Sequence, residues 1–400
     1  MHFAYQEREY QKRLVDKSVN FFTKVDERYG RQIDRVLLLS PCGSGKTVTA
    51  FRIIKELYDQ GYRKVAFIAH RTKLLEQATE YIIKMNVMDD CPDLKFRALS
   101  IFEKDFEDMM NPDLVIFDEC HHSVCDSGIY LVEHLEATKI LGLTATNWRT
   151  DRIKLLFEKI VIDYGINSLI EMGYLAKFDH YLIDEWTAQS VTSTYIKNTN
   201  LFGKSVMYFH TQEESEIAVG LLKEAGIKAA SLYGHHTHKE REHLYEQFEN
   251  GEITVVCNLL LLTEGADFPD LKSVFIKPSI KGLTIQMGGR GLRLHPDKSH
   301  ANIVQVKGDG FSFLRVAKSR NSFTVRDGKW IQTEFSQEFL DNLGNSTLQY
   351  KLSLAKDIKN FAKMEIKDNV KDSRKNVDFQ NLRNFGYNRV SEGLDDVAEL

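Results

Sequence analysis

The sequence predicts an α/β protein of two tandem parallel sheets, each wrapped by helices on both faces, followed by a small C-terminal hairpin and helical extension. Three observations predict it. Apolar runs at 36–39, 64–69, 94–100, 113–117 and 139–143 alternate with stretches of helical periodicity, and a second alternation of the same kind runs from 205 to 306. The 400 residues, 42% of them hydrophobic, also suffice for two cores of ordinary size. The expected organisation is a first domain over 1–165, an interdomain connection over 166–200, a second domain over 201–310 and an extension over 311–400. The lysine- and asparagine-rich end of that extension is expected to be partly disordered.

Taken in order, Tyr10, Leu14, Val15, Val19 and Phe22 mark an amphipathic helix that begins near Arg8 and Gln11. A glutamine amide carries both a donor and an acceptor, which suits the edge of an adenine. The run 36–39 then leads into Ser-Pro-Cys-Gly-Ser-Gly-Lys-Thr at 40–47, a strand, glycine loop and helix in succession. Gly43, Ser44 and Gly45 allow the backbone to turn its N–H groups toward phosphate oxygens; Lys46 can reach the β- and γ-phosphates and Thr47 a magnesium ion. Ser40 stands where the strict pattern has glycine. After the next strand, Arg71 and Thr72 open a helix at the same strand ends, where they could grip a polymer backbone or merely cap the helix. The strand 113–117 delivers Asp118 and Glu119, one to hold magnesium and the other to orient and deprotonate an attacking water. The fifth strand ends near Thr144 and Thr146.

The second alternation contains no phosphate loop of its own. Its contribution is expected from Arg290 and Arg293 in the segment 286–293, the two arginines being three apart and so on one helical face. Guanidinium groups at a γ-phosphate stabilise the transition state, typically by about 10³ to 10⁵ in rate. The glycines around Arg290 imply a close backbone approach. Beyond them, 322–334 reads as a hairpin around Asp327-Gly328 and a helix follows with Leu348, Leu352 and Ile358. His235, His236, His238 and His243 invite a metal reading, which is set aside because no cysteine joins them.

The net charge of -4 gives no global basic signature, so any nucleic acid must be bound by local groups. Five scattered cysteines offer neither a disulfide framework nor a zinc pair, and the N-terminus lacks a signal-peptide pattern. The expectation is a cytoplasmic monomer without membrane insertion.

With these residues assembled, the chain resembles superfamily 2 helicases and translocases of the DExH type, over about residues 8–306. Eight motifs occur in the family's order, from the Q-like Arg8 and Gln11 to the arginine motif at 286–293. The resemblance implies two RecA-like domains, ATP and Mg²⁺ as cofactors, and nucleic acid as partner. It implies adenine contact by Gln11 and a coupling role for His121, Thr144 and Thr146. From the second domain it implies nucleotide contact by Gly265 and Asp267 and γ-phosphate contact by Gln286, Arg290 and Arg293. Arg71, Thr72, Thr211 and Thr263 would contact nucleic acid. Asn147 replaces the family's usual proline. Within the superfamily the motifs are most similar to the repair and restriction group, which includes UvsW, RadD-type proteins and restriction motors. DNA is therefore favoured over RNA, with a nuclease or repair protein as a possible partner. The rival expectations are an RNA-stimulated helicase and an ATP-gated recruitment subunit with little turnover.

Overall fold

The computed structural model describes residues 8–120, 131, 132, 134–145, 157–263, 268–326 and 328–333. The chain parts into two compact units between Tyr164 and Gly165.

The first unit opens with α1 (Glu9–Thr23), which buries Tyr10, Leu14, Val15 and Phe22 at the spacing of one helical face. Strands β1 (Arg35–Leu39), β2 (Lys64–Ala69), β3 (Lys95–Ser100), β4 (Leu114–Asp118), β5 (Lys139–Thr144) and β6 (Lys159–Val161) form a sheet in the order β3-β2-β4-β5-β1-β6. Every ladder in it is parallel. β1 and β4 are buried almost throughout, as strands covered on both faces must be, which is why they read as unbroken apolar runs. Helix α2 (Lys46–Tyr58) follows β1 and packs Phe51 on Phe67 and Phe96, with ring centroids 6.1 and 5.8 Å apart. Helix α3 (Thr72–Lys84) follows β2. In β5, a Cβ on Gly142 would lie 2.3 Å from the Phe157 ring and 2.9 Å from Cys120 Sγ, so only glycine permits this approach. Parallel strands joined by crossovers put the C-terminal ends of β1, β2, β4 and β5 on one edge, the usual ligand edge of such sheets.

The second unit contains β7 (Phe178–Ile183), α4 (Ala188–Ile196), β8 (Ser205–Tyr208), α5 (Gln212–Glu224), β9 (Ala229–Leu232), α6 (His238–Glu249), β10 (Val255–Asn258), β11 (Ser273–Phe275), α7 (Lys281–Gly289), β12 (Ala301–Val306), β13 (Ser322–Arg326) and β14 (Lys329–Thr333). They form an eight-stranded sheet in the order β14-β13-β7-β12-β11-β8-β10-β9. Its ladders are parallel except for the antiparallel β13–β14 hairpin.

Two expectations are corrected here. Residues 166–200, expected as a connection, carry β7, which lies inside the sheet between β12 and β13. Its polar Asp179 and His180 disguise it, yet both are buried and satisfied. Asp179 Oδ1 accepts from the Asn321 N–H and side chain at 3.2 and 3.1 Å, and His180 Nε2 lies 3.1 Å from Gln305 Oε1. The hairpin is likewise part of this sheet rather than an appendage, because β13 pairs with β7 from Ser322 opposite His180 to Thr324 opposite Leu182. Phe323 and Trp330 lie against Tyr181, each with its ring centroid 5.0 Å away. The helix expected beyond the hairpin lies outside the described residues.

Candidate active site

The phosphate-type loop is built by backbone conformation. Gly43 and Gly45 adopt φ of 76° and 78°, in the left-handed region that side chains disfavour, and Gly45 is the N-cap of α2. A Cβ at Gly45 would stand 2.6 Å from Gln11 Nε2, so the buried Gln11 packs directly under the loop. The first turn of α2 carries no acidic side chain, which leaves the positive end of its dipole available to an anion. Ser44 is buried, and Thr47 is half-buried at the start of the helix. Ser40, at the head of the loop, donates its N–H to the Thr144 carbonyl at 3.0 Å, which ties the end of β5 to the loop.

β4 brings the carboxylates to the same edge. Lys46 Nζ lies 3.5 Å from Glu119 Oε1, with both side chains about nine-tenths buried. Glu119 is held at φ 46°, a left-handed conformation uncommon outside glycine, and its N–H donates to Asp118 Oδ1 at 3.0 Å. This turn bends the chain directly after the strand. Cys120 beneath them is fully buried; burial and then the neighbouring carboxylates push its thiol well above the usual range, so it stays protonated. A hydroxyl from Thr47 and a carboxylate from Asp118 are the hard oxygen donors that suit magnesium. Arg8 donates to the Tyr10 hydroxyl at 3.2 Å at the start of α1. Arg71 and Thr72 stand at the end of β2 as expected, half-buried and exposed respectively. The Arg71 side chain does not cap α3; its Nε lies 3.1 Å from His70 Nε2.

In the second unit, Thr211 is the N-cap of α5. Its hydroxyl accepts from the Glu214 N–H at 3.1 Å while Glu214 accepts from the Thr211 N–H, a reciprocal capping box. Thr263 falls in a short turn, Leu261–Thr263, which the Tyr208 hydroxyl holds by donating to the Leu262 carbonyl at 3.0 Å. Gln286 is buried on α7. The expectation that Arg290 and Arg293 share one α-helical face is corrected: α7 ends at Gly289, Arg290 begins a 3₁₀ turn and Arg293 is extended beyond it. The glycines there serve packing, since a Cβ on Gly288 would lie 2.3 Å from the Phe313 ring and one on Gly291 3.0 Å from Val274. His121, Thr146, Gly265 and Asp267 lie outside the described residues.

Sequence reasoning overlooked Lys277. It is buried just beyond β11, donates to the Phe209 carbonyl at 2.8 Å, and is pushed below the ordinary lysine range by burial, with Glu214 opposing. The available signal was a lysine directly after the apolar strand and before Pro278.

Residues 4–107 and 100–149 match the family described as the type III restriction enzyme, res subunit, and residues 188–295 match the helicase conserved C-terminal domain. A Saccharomyces cerevisiae protein named as an ATP-dependent helicase, IRC3, is 29% identical over 75% of this chain and 51% of its own length. The chain spans about half the length of the curated relatives it matches. Among solved structures, the Type ISP restriction-modification enzyme LlaBIII bound to DNA aligns with 98% of this chain and 32% of its own, at 14% identity and a TM-score of 0.53. Saccharomyces cerevisiae Dbp5 bound to RNA and ADP BeF3 aligns with 76% of this chain and 84% of its own, at 13% identity and a TM-score of 0.54. At such identities these two likenesses bear on the fold alone. The two family matches, taken with the loop at 40–47 and the carboxylate pair on β4, make the chain similar to ATP-dependent helicases of the restriction and repair type.

Proposed function

We propose that this chain is an ATP-dependent helicase or translocase acting on DNA. The observation that carries the reading is the approach of Lys46 to Glu119 at 3.5 Å, which brings the phosphate loop and the carboxylate pair to one strand edge. When bound, Mg²⁺-ATP supplies the phosphoryl group whose transfer to water drives movement. The backbone N–H groups at Gly43, Ser44 and Gly45 and the charge of Lys46 would hold its phosphates. Thr47 and Asp118 would hold the metal, Gln11 the base, and Glu119 would take the proton of the attacking water. Gln286, Arg290 and Arg293, with Gly265 and Asp267, would contribute from the second unit, as the motif resemblance of this sequence implies.

DNA is preferred over RNA because the motif pattern and the restriction-enzyme match both lie in a DNA-handling group. The same match supports a nuclease or repair protein as the partner class. A cytoplasmic location belongs to this reading too, and fits the lack of a disulfide among the described cysteines. Among the described residues no helix is long and apolar enough to cross a membrane.

The test is ATP hydrolysis measured with single-stranded DNA, forked DNA and RNA, for the unaltered chain and for Lys46→Ala. DNA should stimulate hydrolysis, and the variant should lose at least about 10²-fold in turnover while still binding DNA. Full turnover in Lys46→Ala would refute the assignment, and stimulation by RNA alone would overturn the choice of polymer.

A further inference from the structure

Where β9 ends, three rings come together. Tyr233 and His235 are stacked, with centroids 5.2 Å apart and 24° between their planes. His236 closes on both, 5.3 Å from Tyr233 and 5.1 Å from His235. Tyr233 is buried and its hydroxyl donates to the Gln212 carbonyl at 3.4 Å, so the foot of the stack is fastened to the first residue of α5. Gln212 also places its Nε2 3.3 Å from His235 Nδ1, and the Tyr233 N–H donates to His236 Nδ1 at 3.4 Å. Each imidazole is thus steadied through one ring nitrogen.

His235 nevertheless remains exposed. One of its faces rests on Tyr233 and His236 meets it nearly perpendicular, while the residue as a whole stays exposed. Helix capping does not require it, because Thr237 and Glu240 already form the capping box of α6. A metal does not explain it either: among the described residues neither His235 nor His236 belongs to a cluster of three groups able to ligate one. The stack stands at the C-terminal end of β9, and parallel β8 and β10 end on that same edge. Thr211 and the turn before Thr263 lie there as well.

We propose that Tyr233, His235 and His236 form a stacking platform for a base of unpaired DNA, with the nucleobase lying on the open face of His235. The proposal rests on the DNA-motor reading above and adds to it a contact with bases rather than with phosphates. An aromatic platform tolerates any sequence, because every base has a π-face, and stacking lowers the dissociation constant by about 5- to 150-fold per base. A solvent-exposed imidazole backed by tyrosine belongs at the lower end of that range.

The experiment compares the full chain with His235→Ala and His235→Phe, measuring binding to an oligodeoxythymidine strand and to an abasic strand of equal length by fluorescence anisotropy. The proposal expects His235→Ala to weaken binding to the thymidine strand by about fivefold or more, His235→Phe to restore it, and binding to the abasic strand to be the same for all three proteins. Equal weakening on both strands, or no change on either, would overturn the platform while leaving the motor reading intact. Failure of the unaltered chain to bind either strand would overturn both.

Discussion

Gly45 shows how one backbone position can carry two requirements. Its φ of 78° already costs a side chain about 1–2 kcal/mol, and its missing Cβ leaves the space that Gln11 Nε2 occupies at 2.6 Å. Gly45→Ala should therefore lower the melting temperature and weaken nucleotide binding. Adding Gln11→Ala should restore part of the stability but not all of it, because the dihedral strain persists; thermal denaturation of the single and double variants checks this. The glycine, the lysine and the acid pair were legible in sequence because their spacing along the chain is their chemistry. The contact of Gln11 with the loop and the left-handed turn at Glu119 were not, since both arise from tertiary packing and leave no mark on residue type. Lys277 was passed over for a related reason: a single lysine looks solvated until burial shows its ammonium bound to a carbonyl.

Strand β7 was misplaced because an Asp-His pair interrupts its apolar run, and alternation of hydrophobicity cannot reveal that partners on β12 and around Asn321 satisfy both groups. The burial that hides His180 also gives it a measurable signature. Its pKa is pushed down to about 4 from the ordinary 6.5, chiefly by burial, with Gln305 opposing. The folded-state value is the depressed one, so the unfolded chain binds more protons between these limits. Stability contributed by the neutral ring is complete above 6.5 and is lost as the pH falls toward 4. The loss should reach about 2 kcal/mol at pH 5 relative to neutrality. Denaturant titrations at pH 7 and pH 5 measure it, and a His180→Asn chain, although less stable at neutral pH, should lose less on acidification.

At the scale of the molecule, the division into two α/β units was legible because the strand and helix alternation occurs twice, and only the first occurrence includes the phosphate loop. The boundaries were less legible: the match to the C-terminal helicase domain begins at 188, inside the stretch expected to be a connection. The proposed function makes the roles of the units separable. Arg290→Ala and Arg293→Ala should leave ATP binding by the first unit nearly unchanged while lowering kcat by about 10³-fold or more. Equilibrium binding of a fluorescent ATP analogue, set beside steady-state hydrolysis, checks the split, and unchanged kcat in both variants would remove the arginines from the chemistry.

The pairing of β13 with β7 sets where this protein can be shortened. A chain cut at residue 310 would strip the neighbour from β7, baring the main-chain groups of the rung from His180 to Leu182 and the aromatic ring of Tyr181. An unprotected strand of that kind is a template for other copies, so the truncated protein should precipitate. A chain that retains residues through Thr333 should stay dispersed.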